Sequence, residues 1–182
     1  MEYVWYALFY SFFGYCLEKL FAAATRAEHR LRRCFVFAPL CPVYGLAMLA
    51  VVLLGAEELP GAWERFLLGV LTATAVEYAV HWGYERAFAV RFWDYAATKC
   101  DVNGRVCLPF SLAWGLLSAF AVRFVQPALA RLAAALPEGL LPPLLFLLAL
   151  DGLLTCRVLL LTRSIDALTP RAALRTLKRR TA

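Results

Sequence analysis

From Leu140 to Leu161 the chain is a near-continuous apolar run, broken by only two ionisable residues, Asp151 and Arg157. About 20 such residues are what an α-helix needs to cross roughly 30 Å of hydrocarbon. Four further stretches approach the same standard, at about 3–24, 38–55, 63–88 and 106–125. Lipid admits only helices and closed barrels, because the backbone must satisfy itself there. The runs therefore predict an all-α, polytopic helical membrane protein with five transmembrane helices. Composition agrees: 63% of the 182 residues are hydrophobic and 18% are charged. A soluble domain of this size lacks the core volume for that share, and a disordered chain needs the opposite balance. Residues 1–162 read as a single transmembrane domain and 163–182 as a basic cytoplasmic tail.

The formal charge of +6 would suggest nucleic acid in a soluble protein. In this chain it reports topology. Arg26, Arg30, Arg32 and Arg33 fall in the first loop. Arg86, Arg91, Lys99 and Arg105 fall in or beside the third, and six more basic residues follow from Arg163 onward. These fourteen share one side of a five-span chain, against Arg65, Arg123 and Arg131 on the other. The positive-inside rule puts the fourteen in the cytoplasm, with the N-terminus outside and the C-terminus cytoplasmic, in the plasma membrane. Membrane lipids are the expected partners and nucleic acid is not. The first run is read as a retained span rather than a cleaved leader, since Glu2 stands where a basic residue would and Glu18-Lys19 interrupts it.

Six cysteines occur without a Cys-x-x-Cys pair. Four of them, Cys34, Cys41, Cys100 and Cys107, fall near the cytoplasmic side, where thiols stay reduced. They are read as small buried hydrophobes. No metal site and no cofactor are expected.

Ionisable groups inside spans cost a few kcal/mol or more and usually face protein or water. Glu18 and Glu85 fall near the cytoplasmic ends of their helices, and Glu77 two turns deeper. His81 stands four residues from both Glu77 and Glu85, so all three project from one stripe. Two readings follow: a polar cavity open to the cytoplasm, or a network that orders the bundle. Asp151 and Arg157 in the fifth span carry the same pair of readings.

Two stretches resemble each other. Leu17-Glu18-Lys19-Leu20-Phe21 and Tyr84-Glu85-Arg86-Ala87-Phe88 each end an outward-to-inward span. A basic loop follows each, then Pro39 with Tyr44-Gly45 in one case and Pro109 with Trp114-Gly115 in the other. The expectation is two parallel two-helix repeats plus one helix. The third loop carries Arg91-Phe92-Trp93-Asp94-Tyr95, a segment suited to the headgroup level, and Asn103-Gly104, which predicts a tight turn. The inner ends of the second and fourth helices are N-termini, with Arg33 and Arg105 beside them. That setting suits an anionic group, or plain lipid anchoring. The tail from Thr169 reads as a short basic helix on the inner leaflet.

These segments resemble the ABC-transporter type IV permease family, small multi-span bacterial proteins with vertebrate relatives. Its pattern is matched by Gly14 and Glu18; by Arg33, Phe35, Pro39, Pro42, Tyr44 and Gly45; and by Glu77, Tyr78 and Glu85. It continues through Trp93, Asp94 and Tyr95, then Gly104, Arg105, Cys107, Leu108, Ser111, Trp114 and Gly115. Arg32, Cys34, Ala38, Ala96 and Asp101 depart from it, two of them replacing glycines. The resemblance implies a permease role. The chain carries no Gly-x-x-x-x-Gly-Lys-Ser/Thr loop, so ATP hydrolysis would need a separate ATPase subunit. Self-association into a homo-oligomer is left open.

The candidate binding residues are Glu18, Arg33, Pro39, Tyr44, Glu77, His81, Glu85, Trp93, Asp94, Tyr95, Arg105, Ser111 and Trp114. The first reading is a transport-type protein with its site near the cytoplasmic leaflet. The alternatives are a lipid-binding protein or an enzyme on a lipid-linked or anionic substrate, and a scaffold subunit with no site.

Overall fold

The computed structural model describes residues 1–25, 34–169 and Ala173. Five helices make up the body: α1 (Glu2–Thr25), α2 (Pro42–Leu53), α3 (Ala62–Phe88), α4 (Leu108–Ala135) and α5 (Leu141–Thr162). A short antiparallel hairpin, β1 (Asp101–Val102) and β2 (Val106–Cys107), precedes α4. Each expected span contains one helix. Two of the helical stretches, Leu108–Ala135 and Glu138–Thr162, are long and apolar enough to cross a membrane. The α2 helix is apolar but only 12 residues long.

Two boundaries differ from the apolar runs. The second helix starts at Pro42, not near Ala38. Pro42 fits the first helical turn, where no N–H is needed, while the preceding 34–41 segment is held in a non-helical shape. Asp151 of α5 does the holding: its carboxylate accepts the backbone N–H groups of Phe37 at 3.0 Å and Ala38 at 2.7 Å. The fourth helix continues to Ala135, ten residues past its expected end. Pro127 should break it, lacking an N–H and crowding the carbonyl one turn back. A π-helical turn at Ala121–Val125 absorbs that conflict just before the proline.

Small residues set the helix crossings, because they let two backbones approach closely. A side chain at Gly45 would collide with Ser11 Oγ and the Ala7 carbonyl of α1. One at Gly115 would collide with Val70 and Phe66 of α3. The α1–α2 and α3–α4 hairpins then meet through Ala47, Ala73 and Trp114. At one end Trp5, Tyr10, Met48, Val122 and Leu141 pack together. At the other, where the 34–41 and 89–107 loops gather, Phe88, Val90, Phe92 and Leu159 do so. The outward faces are apolar: Leu71, Leu116, Phe120, Phe124, Phe146 and Leu153 are each more than half exposed. Several of the most deeply buried side chains are polar instead, among them His81, Ser118, Gln126 and Thr155.

Candidate functional site

The loop between α3 and α4 is built to deliver Tyr95 inward. Asn103 and Gly104 both adopt left-handed φ angles, 57° and 69°, which closes the hairpin as their dipeptide predicts. The Gly104 N–H donates to Asp101 Oδ2 at 2.7 Å, and its carbonyl accepts the Tyr95 N–H at 2.8 Å. Asp94 turns the chain by accepting the Ala96 N–H at 2.9 Å. A Cβ at Gly104 would lie 2.7 Å from that carboxylate, so only glycine fits. Trp93 fastens the loop twice: its indole N–H donates to the Arg105 carbonyl, and its own carbonyl accepts from His81 Nε2, both at 2.9 Å. The two rings meet edge to face at 5.1 Å.

Around this loop lies a charged cluster centred on Glu85. Arg91 Nε donates to Oε1 at 2.6 Å and Arg105 Nε to Oε2 at 2.7 Å, with His81 Nδ1 at 3.6 Å. Arg91 also donates to Asp94 at 2.9 Å, and Arg105 to the Tyr78 hydroxyl at 2.7 Å. The Ala96 N–H, then Arg91, hold the Asp94 carboxyl below its usual range. Its partner Arg91 and the Glu85-bound Arg105 are correspondingly raised. Arg105 is thus engaged by a carboxylate and a phenol. Arg33, its expected companion, lies outside the described residues, as do His29, the other first-loop arginines and the basic tail beyond Thr169, apart from Ala173.

Two turns deeper the chemistry changes. Glu77, 5% exposed, accepts the Tyr95 hydroxyl at 3.1 Å on one oxygen and the Trp114 indole N–H at 3.0 Å on the other. Burial, with the Glu77 carboxylate opposite, raises the Tyr95 phenol well above its ordinary range, so it stays a donor. Glu18 in α1 accepts the Tyr44 hydroxyl at 2.8 Å. The Tyr44 and Trp114 rings lie against each other, 4.7 Å between centroids. The two carboxylates are therefore joined through a contacting aromatic pair. Ser111 is buried one turn before Trp114, whereas Pro39 is exposed on the loop that Asp151 holds.

The packing also bears on the expected repeat. Ala7 and Ser11 stand to Gly45 as Phe66 and Val70 stand to Gly115. The offset that carries Ser11 to Val70 carries Glu18 to Glu77, and the offset that carries Gly45 to Gly115 carries Tyr44 to Trp114. Each hairpin thus holds a carboxylate that accepts from an aromatic donor on its second helix. The Glu-basic-x-Phe likeness had paired Glu18 with Glu85, eight residues away from the partner that packing selects.

Sequence reasoning missed Gln126. The only glutamine in the chain is fully buried beyond the π turn, and its Oε1 accepts the Tyr10 hydroxyl at 2.9 Å. A lone amide in an apolar run was the available signal. Among the described residues no cluster of His, Cys, Asp and Glu could hold a metal ion.

A family model described as "Putative ABC-transporter type IV" matches residues 5–156. No curated protein and no solved structure matches the chain.

Proposed function

The chain belongs to this family, and on that premise we propose a transport-type membrane protein whose Glu77 and Glu18 receive a cationic group or a proton. The observation that carries the reading is the setting of Glu77. Its carboxylate is buried and hydrogen-bonded only to neutral donors, and no ion pair to it occurs among the described residues. A charge in such a place is expensive unless something neutralises it. A passing cation or proton relieves that cost, which is what a transport site requires.

In this reading residues 1–162 form one five-span domain and 163–182 its cytoplasmic tail. The basic loops face the cytoplasm, placing the site toward the inner leaflet. The exposed leucines and phenylalanines on the helix faces fit lipid contact. Coupling to ATP would come from a separate subunit. Acid–base catalysis by His81 has less support, because its Nε2 is engaged by the Trp93 carbonyl and its Nδ1 stands 3.6 Å from Glu85. A pure scaffold would want Glu77 ion-paired.

The test is thermal stabilisation of the purified protein by small organic ammonium ions. Wild type should show a saturable shift in Tm, and Glu77→Gln, which keeps an acceptor but removes the charge, should lose it. An equal shift in both would overturn the proposal.

A further inference from the structure

Cys34 and Cys41 bracket the segment that leads into α2, the first partly exposed and the second buried. Both thiols are free, and they share a hydrogen bond. The chain between them is folded in a way that keeps the sulfurs together. Asp151 of α5 draws in the N–H groups of Phe37 and Ala38, and the Leu40 N–H donates to the Ala38 carbonyl at 2.7 Å. The Cys41 N–H donates to the Ser11 carbonyl at 2.8 Å, which fixes that end to α1. Phe35 stacks on Tyr84 at 5.0 Å, which fixes the other end to α3. Three helices therefore hold a loop whose two ends carry thiols in contact. Spacing alone does not produce this. Cys100 and Cys107 are separated by the same interval, and Cys107 also stands at the entry to a helix. There the hairpin sets Cys107 opposite Asp101, and Cys100 is exposed with a left-handed φ of 58°.

We propose that Cys34 and Cys41 are a reversible dithiol–disulfide pair, oxidised by small-molecule disulfides of the glutathione class. Cys34 is the reachable sulfur. As a thiolate it attacks one sulfur of the oxidant, forms a mixed disulfide and expels one small thiolate. Cys41 then loses its proton and attacks the Cys34 sulfur, and the second small thiolate leaves. The two departing thiolates take up the protons that the two cysteines gave. Two protein thiols and one small disulfide become one protein disulfide and two small thiols, a two-electron oxidation of the chain. On the cytoplasmic side implied by the basic loops the pair rests reduced, and a disulfide there is a transient, redox-sensing one rather than a structural staple. The new bond ties off the entry to α2 three residues before Tyr44, whose hydroxyl is bonded to Glu18. In this assignment the pair departs from the role of inert buried hydrophobe expected of the six cysteines. The chemistry asks nothing of Glu77.

The experiment treats the reduced full chain, in mild detergent, with oxidised glutathione and maps every cysteine by mass spectrometry of proteolytic peptides. Wild type should lose two hydrogens across Cys34 and Cys41. Its Cys34 should carry at least tenfold less glutathione adduct than the exposed Cys100, because the second attack is intramolecular. Dithiothreitol should restore both thiols. Cys41→Ala should leave the adduct standing on Cys34, and Cys34→Ser should leave the buried Cys41 unmodified. Phenylarsine oxide, which condenses with two neighbouring thiols and releases water, should protect Cys34 and Cys41 of wild type from alkylation. The two wild-type readouts stand even if a variant fails to fold. A lasting glutathione adduct on Cys34 of wild type, without an internal bond, overturns the proposal. So does a bond from Cys34 to Cys156, which packs in the same cluster as Phe35. Failure of phenylarsine oxide to protect the pair, or an unreacted Cys34 beside a fully modified Cys100, overturns it as well.

Discussion

Glu77 and Glu85 lie on one face of one helix, eight residues apart, and are kept in opposite ways. Glu85 is partly exposed and bound by two guanidinium groups. Glu77 is buried and receives only a phenol and an indole. Ionised carboxylates gain from charged partners, and partners near solvent are easily satisfied or exchanged. A carboxylate given neutral donors in a dry interior keeps its charge unanswered. The first arrangement suits fastening a loop; the second suits a site that something else must complete.

Substitutions should separate the two centres. Trp114→Ala should do most damage, about 3–5 kcal/mol for removing a large buried aromatic, read as a loss of Tm in mild detergent. Tyr95→Phe keeps the ring on Phe110 but withdraws one donor from Glu77. It should cost about 1–3 kcal/mol, the usual range when a buried acceptor loses its partner, and should weaken the Glu77-dependent ammonium shift. Glu85→Gln should have a smaller effect that shrinks as salt is raised, with faster hydrogen exchange in residues 90–107 and the ammonium shift retained. If Glu85→Gln abolished the ammonium shift and Glu77→Gln did not, the assignment of roles would be reversed.

Acid gives the mildest test. The Asp94 carboxyl is depressed below its ordinary value of 3.8 by the Ala96 N–H and Arg91. A depressed folded value contributes stability that is present above 3.8 and lost as pH falls through the lower, folded value. Exchange in the 90–107 loop should therefore quicken below about pH 4. Asp94→Asn should reduce that pH dependence, leaving the part that Glu85 contributes through Arg91 and Arg105, with the helices still protected.

How much of this was legible in the sequence depends on the range of the interaction. The five helices follow from local apolarity, and the Asn103-Gly104 turn from the φ angles those two residues tolerate. The overrun of α4 through Pro127 was hidden, because a proline marks a break unless the helix widens upstream. The like setting of Glu18 and Glu77, each accepting from an aromatic donor on the next helix, was hidden too. Side-chain likeness favoured Glu85, whereas the match in packing shows only in which residues oppose Gly45 and Gly115. The grip of Asp151 on Phe37 and Ala38 joins parts of the chain that no local pattern relates.

That grip bears on the order of construction. Phe37 and Asp151 are separated by 114 positions, so when the first hairpin leaves the ribosome the carboxylate that shapes its loop does not yet exist. The two backbone N–H groups at the turn into α2 gain these acceptors only once the last helix packs beside it. The final helix therefore acts as the closing piece of the assembly, and a chain halted before it would leave its first loop unfinished.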